Sequence, residues 1–196
     1  MDQLIFATNN QHKIDEINHA LGNLIKIITL KDAGIDVDIP EPYDTLEENA
    51  RIKSFTIYQL TGKNCFSEDT GLEVERLQGE PGVKSARYAG NENSSSANIE
   101  KLLKKMEGVE ERCAQFRTIV SLIIDEKEAQ FEGICRGRIV KEQRGQSGFG
   151  YDPVFIPDGS EQTFAEMDIQ GKNRFSHRKK AVDKLIKFLE FTHKIN

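Results

Sequence analysis

The chain has 196 residues, a net charge of −5 and 30% charged residues, enough for one good-sized domain that buries roughly 70% of its unfolded surface. The acidic balance argues against broad nucleic-acid or membrane binding, while leaving room for a local basic site that meets one small anion. Three widely spaced cysteines, Cys65, Cys113 and Cys135, form no redox or zinc motif and read as free thiols in a reducing compartment. The N-terminal apolar run, Leu4 to Ala7, is too short for a signal peptide or a spanning helix. The expected location is the cytoplasm.

Gln3 to Ala7 is predicted as a buried strand. Thr8-Asn9-Asn10-Gln11-His12-Lys13 then turns into a helix with Ile14, Ile17 and Leu21 on its apolar face. A strand, polar loop and helix N-terminus offer free N–H groups and the positive end of a helix dipole, which suit a phosphate. On the plainer reading, Asn10 caps the helix while His12 and Lys13 are solvated. The stretch has no glycine and is not a P-loop.

A second strand is expected over residues 25–30, followed by an acidic, proline-marked loop over 36–44 that contains Glu41. Thr45 and Glu48 have capping-box spacing before a helix carrying Leu46, Ala50, Ile57 and Leu60 on one side. Lys53 falls on that side, where a lysine needs an acceptor or a cleft. Glu48 has two readings, helix cap and metal ligand.

Asn64-Cys65-Phe66 reads as a short strand that delivers Glu68 and Asp69 at its end, after which Gly71 turns the backbone. Carboxylates in that position commonly face a ligand cleft in α/β proteins, which makes Asp69 a candidate general base or metal ligand. The alternative is two loop acids in water. Ser94 to Ser96 open a helix with Ile99, Leu102, Leu103 and Met106, and strands over 114–125 and 129–141 form an antiparallel ribbon.

Phe149-Gly150-Tyr151-Asp152 lies in a glycine-rich loop, where an aromatic ring can stack on a flat ligand or pack beneath the loop. Near the C-terminus Ser176 is placed to cap a helix whose first turn holds His177, Arg178, Lys179 and Lys180, with Lys172 just upstream. Cations oppose the dipole at a helix N-terminus. The cluster therefore marks either an anion or base-edge site or a solvated basic turn.

Seven blocks occur in order along nearly the whole chain: Ala7-Thr8-Asn9-Asn10 with Lys13; Glu48-Asn49-Ala50 with Lys53; Glu68-Asp69-Thr70-Gly71-Leu72; Pro81-Gly82 with Ser85-Ala86-Arg87-Tyr88; Phe149 to Pro153; Thr163 to Met167; and Ser176-His177-Arg178. Together they resemble the inosine triphosphate pyrophosphatase family. That resemblance implies one α/β domain over residues 1–196, two-lobed with a long mixed central sheet and a cleft between the lobes, usually in a homodimer. It implies Mg²⁺-assisted hydrolysis of ITP, dITP and XTP to the monophosphate and pyrophosphate, with no nucleic-acid or membrane partner.

Carried over by position, Asp69 is the general base and a metal ligand, and Glu41 is a second metal ligand. Thr8, Asn9, Asn10, Gln11, His12, Lys13 and Lys53 bind the triphosphate, and Thr70 touches substrate. Phe149, Gly150, Tyr151 and Asp152 hold base and sugar, while Lys172, His177 and Arg178 recognise the base. Asn9 stands where many members have glycine.

Overall fold

The computed structural model describes residues 3–22, 24–90 and 94–193. Strand β1 (Gln3–Phe6) leads into helix α1 (Gln11–Leu21), and β2 (Lys26–Thr29) is followed by a loop and α2 (Leu46–Thr61). Then come β3 (Cys65–Val74), β4 (Pro81–Gly82), α3 (Ser95–Lys105), β5 (Cys113–Ile124) and β6 (Lys127–Ile139). The chain finishes with β7 (Phe155–Pro157), α4 (Ile169–Asn173) and α5 (His177–His193).

The strands form one seven-stranded sheet in the order β2-β1-β3-β5-β6-β7, with β4 paired to β3. β1 runs parallel to β2 and β3, whereas the β3–β4 and β6–β7 pairs are antiparallel. The sheet is therefore mixed and the fold is α/β, as the sequence suggested. The parallel register sets Phe6 opposite Phe66, whose rings stack at 4.5 Å. β5 and β6 are joined by two residues, Asp125 and Glu126, both with positive φ, the backbone of a tight hairpin turn of the primed type.

The chain divides into two compact units. The first comprises residues 1–69, 118–133 and 178–196, and the second residues 70–117 and 134–177. In the first, α1 and α5 bury Ile14, Ile17, Leu21, Ala181, Leu185 and Leu189 with strand residues Leu4, Phe6, Phe66, Val120 and Leu122. A smaller group there joins Ile57 of α2 to Ile5, Cys65 and Ile123. In the second unit, Ile99, Leu102 and Met106 pack with Leu72, Val74, Phe116, Phe155 and Phe164.

Three expectations change. The predicted strand end before Glu68 does not exist: β3 continues through Glu68, Asp69, Thr70 and Gly71 to Val74. Gly71 makes no turn; a Cβ there would lie 2.7 Å from the Gly82 carbonyl oxygen, so glycine is required for β4 to approach β3. Leu60, on the same side of α2 as the buried Leu46, Ala50, Lys53 and Ile57, is nevertheless 61% exposed at the helix's last turn. All three cysteines are free, with Cys113 exposed. Among the described residues no helix is long and apolar enough to cross a membrane.

Candidate active site

Neighbouring residues in a strand point to opposite faces of the sheet, and this separates the two acids of β3. Glu68 meets Lys13 Nζ at 2.5 Å and Arg178 Nη2 at 3.3 Å, while Asp69 Oδ1 accepts a hydrogen bond from Lys53 Nζ at 3.0 Å. Lys53 also bonds to Glu41. The helix that delivers Lys53 begins where the sequence placed it: Thr45 Oγ1 accepts from the Glu48 N–H and donates to Glu48 Oε2 at 2.7 Å. Glu48 is therefore the capping partner of Thr45, and it is exposed.

Around Asp69 the electrostatics are set by burial. With 5% of its surface exposed, Asp69 is pushed up to about 6 by desolvation, against the pull of Lys53, with Glu41 pushing it further up and Lys13 pulling it down. For Lys53, burial acts to lower the pKa, but the carboxylates of Asp69 and Glu41 outweigh it and hold the ammonium above its ordinary value. The cation stays charged while its buried partner sits near neutrality, a range suited to accepting a proton.

The first turn of α1 follows the phosphate-type pattern only in part. Asn10 caps it by accepting the Lys13 N–H at 3.2 Å, and the Asn10 N–H donates to Thr8 Oγ1 at 3.2 Å. Asn9 donates to the Val37 carbonyl at 3.1 Å, tying this turn to the loop that contains Glu41. Gln11 donates to Asp15 at 2.7 Å within the helix, and His12 is exposed. Lys13, one helical turn from the buried Glu16, points to Glu68.

Arg178 does not lie in a solvated basic turn. It is 2% exposed and its guanidinium joins Glu16 and Glu68. Two cations of that first turn are thus offset: Arg178 by those two carboxylates, and Lys179 by Asp183 one turn later at 2.6 Å. Glu16 was absent from the sequence reading. Its only local signal is an acid set among the core positions Ile14, Ile17 and Leu21 of α1.

In the second unit, Gly148 and Gly150 have positive φ and fold the loop back so that Asp152 Oδ2 accepts the Phe149 N–H at 2.9 Å. The same oxygen takes Lys172 Nζ at 2.5 Å. Lys172, on the short helix α4 capped by Asp168, also stands 5.2 Å from the ring centroids of Phe149 and Phe164, within cation–π range. Phe149 is half-buried.

Of the two roles open to a ring in this loop, Tyr151 takes packing beneath it. Its ring is buried in the core with Phe155 and Phe164, and its hydroxyl donates to the Ser85 carbonyl at 2.9 Å. Burial pushes its pKa up. His177 is also buried, its ring stacked on Phe116 at 4.8 Å. Thr70 is half-buried in β3.

Among the described residues no group of three or more His, Cys, Asp or Glu side chains is placed to hold a metal ion. The relevant donors are the two carboxylates of Glu41 and Asp69, converging on one ammonium. In the first unit four carboxylates, Glu16, Glu41, Glu68 and Asp69, face three cations, Lys13, Lys53 and Arg178.

The Ham1 family model matches residues 4–188 of the chain. A dITP/XTP pyrophosphatase of Porphyromonas gingivalis is 50% identical over 190 residues, 96% of this chain and 98% of its own length. One from Flavobacterium psychrophilum is 47% identical over 188 residues, 96% and 99% of the two chains. Among solved structures, the Staphylococcus aureus Ham1 protein superposes with a TM-score of 0.87 at 38% identity, covering 97% of this chain and 99% of its own. A HAM1 protein from Coxiella burnetii gives 0.88 at 34% identity, covering 98% and 100%.

Proposed function

Since this chain belongs to the Ham1 family, we propose that it is a nucleoside triphosphate pyrophosphatase that hydrolyses ITP, dITP and XTP to the monophosphate and pyrophosphate. The observation that carries the reading is the buried Asp69, hydrogen-bonded to Lys53 beside Glu41 and held at about 6.

Asp69 takes a proton from the attacking water as the water oxygen bonds to the α-phosphorus and the bond to the departing pyrophosphate breaks. Lys13, Lys53 and the N–H groups opening α1 receive the polyphosphate, their positive charge offsetting what develops on the leaving group. Thr8, Asn9 and Asn10 position it, with Gln11 and His12 at the same turn, and Thr70 touches substrate.

The residues fit Mg²⁺. Two hard carboxylate oxygens at one point, in a cluster with more acids than bases, match an ion that uses one or two carboxylates and completes its shell with water and substrate phosphates. Asp69 and Glu41 would hold it. When bound, the ion polarises phosphate oxygens and neutralises their charge.

Phe149 stacks on the base, and Lys172, held by Asp152, faces it as a donor, with Gly150 giving the loop its turn. His177, Arg178 and backbone N–H groups beside them favour the 6-oxygen of hypoxanthine and xanthine over the 6-amino group of adenine. A polar mismatch of that type reaches discriminations of about 10⁴. The Arg178 guanidinium is already engaged with two carboxylates, so its contribution to the base is through its backbone. Tyr151, with a buried ring, contributes to the pocket by fixing the loop.

The protein acts on free nucleotides in the cytoplasm, with no nucleic-acid or membrane partner, as a homodimer. Light scattering after size exclusion tests the homodimer: a mass of two chains supports it and a mass of one chain removes it. Asp69→Asn tests the chemistry: turnover of ITP falls by about 10² to 10⁴, and undiminished turnover removes Asp69 from it.

A further inference from the structure

Lys53 occupies the point on which the proposed cation ligands converge. Its ammonium is hydrogen-bonded to Glu41 and, at 3.0 Å, to Asp69 Oδ1, and the residue is 7% exposed. An ammonium and a divalent ion on the same two oxygens repel one another strongly where water is scarce to screen them. The carboxylate pair therefore serves one cation at a time. Lys53 is on a flexible four-carbon stem, and it gives up its two acceptors, the buried Asp69 and the half-buried Glu41, only for another anion of comparable strength.

We propose that Lys53 is a built-in counter-ion that keeps the Glu41–Asp69 pair closed to divalent cations until a polyphosphate draws its ammonium away. This rests on the assignment of Glu41 and Asp69 to the metal. Metal and nucleotide binding are then coupled, and by reciprocity each strengthens the other. In the free protein one ammonium partly offsets the two carboxylates, and the metal site opens when substrate arrives. Lys13 does not share this role: its partner is Glu68, on the opposite face of β3 from Asp69.

The test is calorimetric titration of Mn²⁺ into the full chain without nucleotide, comparing wild type with Lys53→Met and Lys13→Met. Lys53→Met is expected to bind Mn²⁺ about 10-fold or more tighter than wild type, and Lys13→Met, which removes the same charge from the same cluster, within about 3-fold of it. Lys53→Gln keeps a polar group for the carboxylates and is expected to show the same tightening if the methionine variant does not fold. Equal affinity in wild type and the Lys53 variants, or equal tightening by Lys13→Met, overturns the proposal. Turnover of ITP by the wild type, measured alongside, separates the two claims: turnover with unaltered metal affinity overturns the counter-ion role alone, and no turnover of any nucleotide overturns the reading on which it rests.

Discussion

Arg178 Nη2 lies 3.3 Å from Glu68 Oε2, and the other amino group of the same guanidinium bonds to Glu16, so one buried cation ties the first turn of α5 to β3 and α1. Removing one partner from such a group leaves the others charged and dry. Arg178→Ala should therefore cost about 3 to 5 kcal/mol of stability. Arg178→Lys should recover little, because a single ammonium does not reproduce the fork that spans two carboxylates. Denaturant unfolding measures both; a loss below about 1 kcal/mol for the alanine variant would show that the network is not a support.

Asp69 should carry a stability cost as well as the chemistry. Its pKa is about 6 in the folded chain against an ordinary 3.8, so the folded state binds this proton more tightly. Ionisation then subtracts stability as pH rises from about 4 to about 6, and the full cost stands above pH 6, on the order of 1 to 3 kcal/mol. Asp69→Asn is expected to unfold at a higher temperature than wild type at pH 8, with the gap closing toward pH 4, while it loses turnover. Thermal scans across that range check the sign, and a variant less stable at pH 8 than at pH 4 relative to wild type would reverse it.

Lys172 and Asp152 should behave as a pair. Lys172→Gln is expected to raise KM for ITP by roughly 10-fold with kcat within a few-fold, since a donor toward the base contributes to binding more than to bond breaking. Asp152→Ala should do the same and also lose about 1 to 3 kcal/mol, because it strips the acceptor from the Phe149 N–H and the buried Lys172. Steady-state kinetics and unfolding of the double variant test the pairing; effects that simply add would separate the two residues.

Gly71→Ala should be destabilising by about 1 to 3 kcal/mol, because its Cβ would meet the Gly82 carbonyl oxygen at 2.7 Å and carbon at 2.9 Å, both of them backbone atoms. Unchanged stability would mean that β4 can move away from β3 at little cost.

What was legible in the sequence was local. Asn10 and Thr45 cap the helices that their spacing announced, because a cap is decided within four residues. The mixed α/β sheet came with the family resemblance, and for Lys53 the packed stripe showed a need for an acceptor or a cleft without naming Glu41 and Asp69. The Glu16–Arg178 pair was not, since 162 residues separate its members and only the fold joins α1 to α5. Glu68 and Asp69 were read as two acids at a strand end, when the strand runs on and its two-residue period sends them to different faces. For Phe149 and Tyr151 the residues left stacking and packing beneath the loop equally open, and only the fold, which buries Tyr151 with Phe155, separates them.

The most direct measurement is release of pyrophosphate and monophosphate from ITP, dITP, XTP, ATP, GTP and dTTP, each with Mg²⁺ and with EDTA. We predict pyrophosphate release confined mainly to ITP, dITP and XTP and abolished by EDTA. Cleavage of dTTP at a similar rate, or nucleotide binding without turnover, would contradict the account.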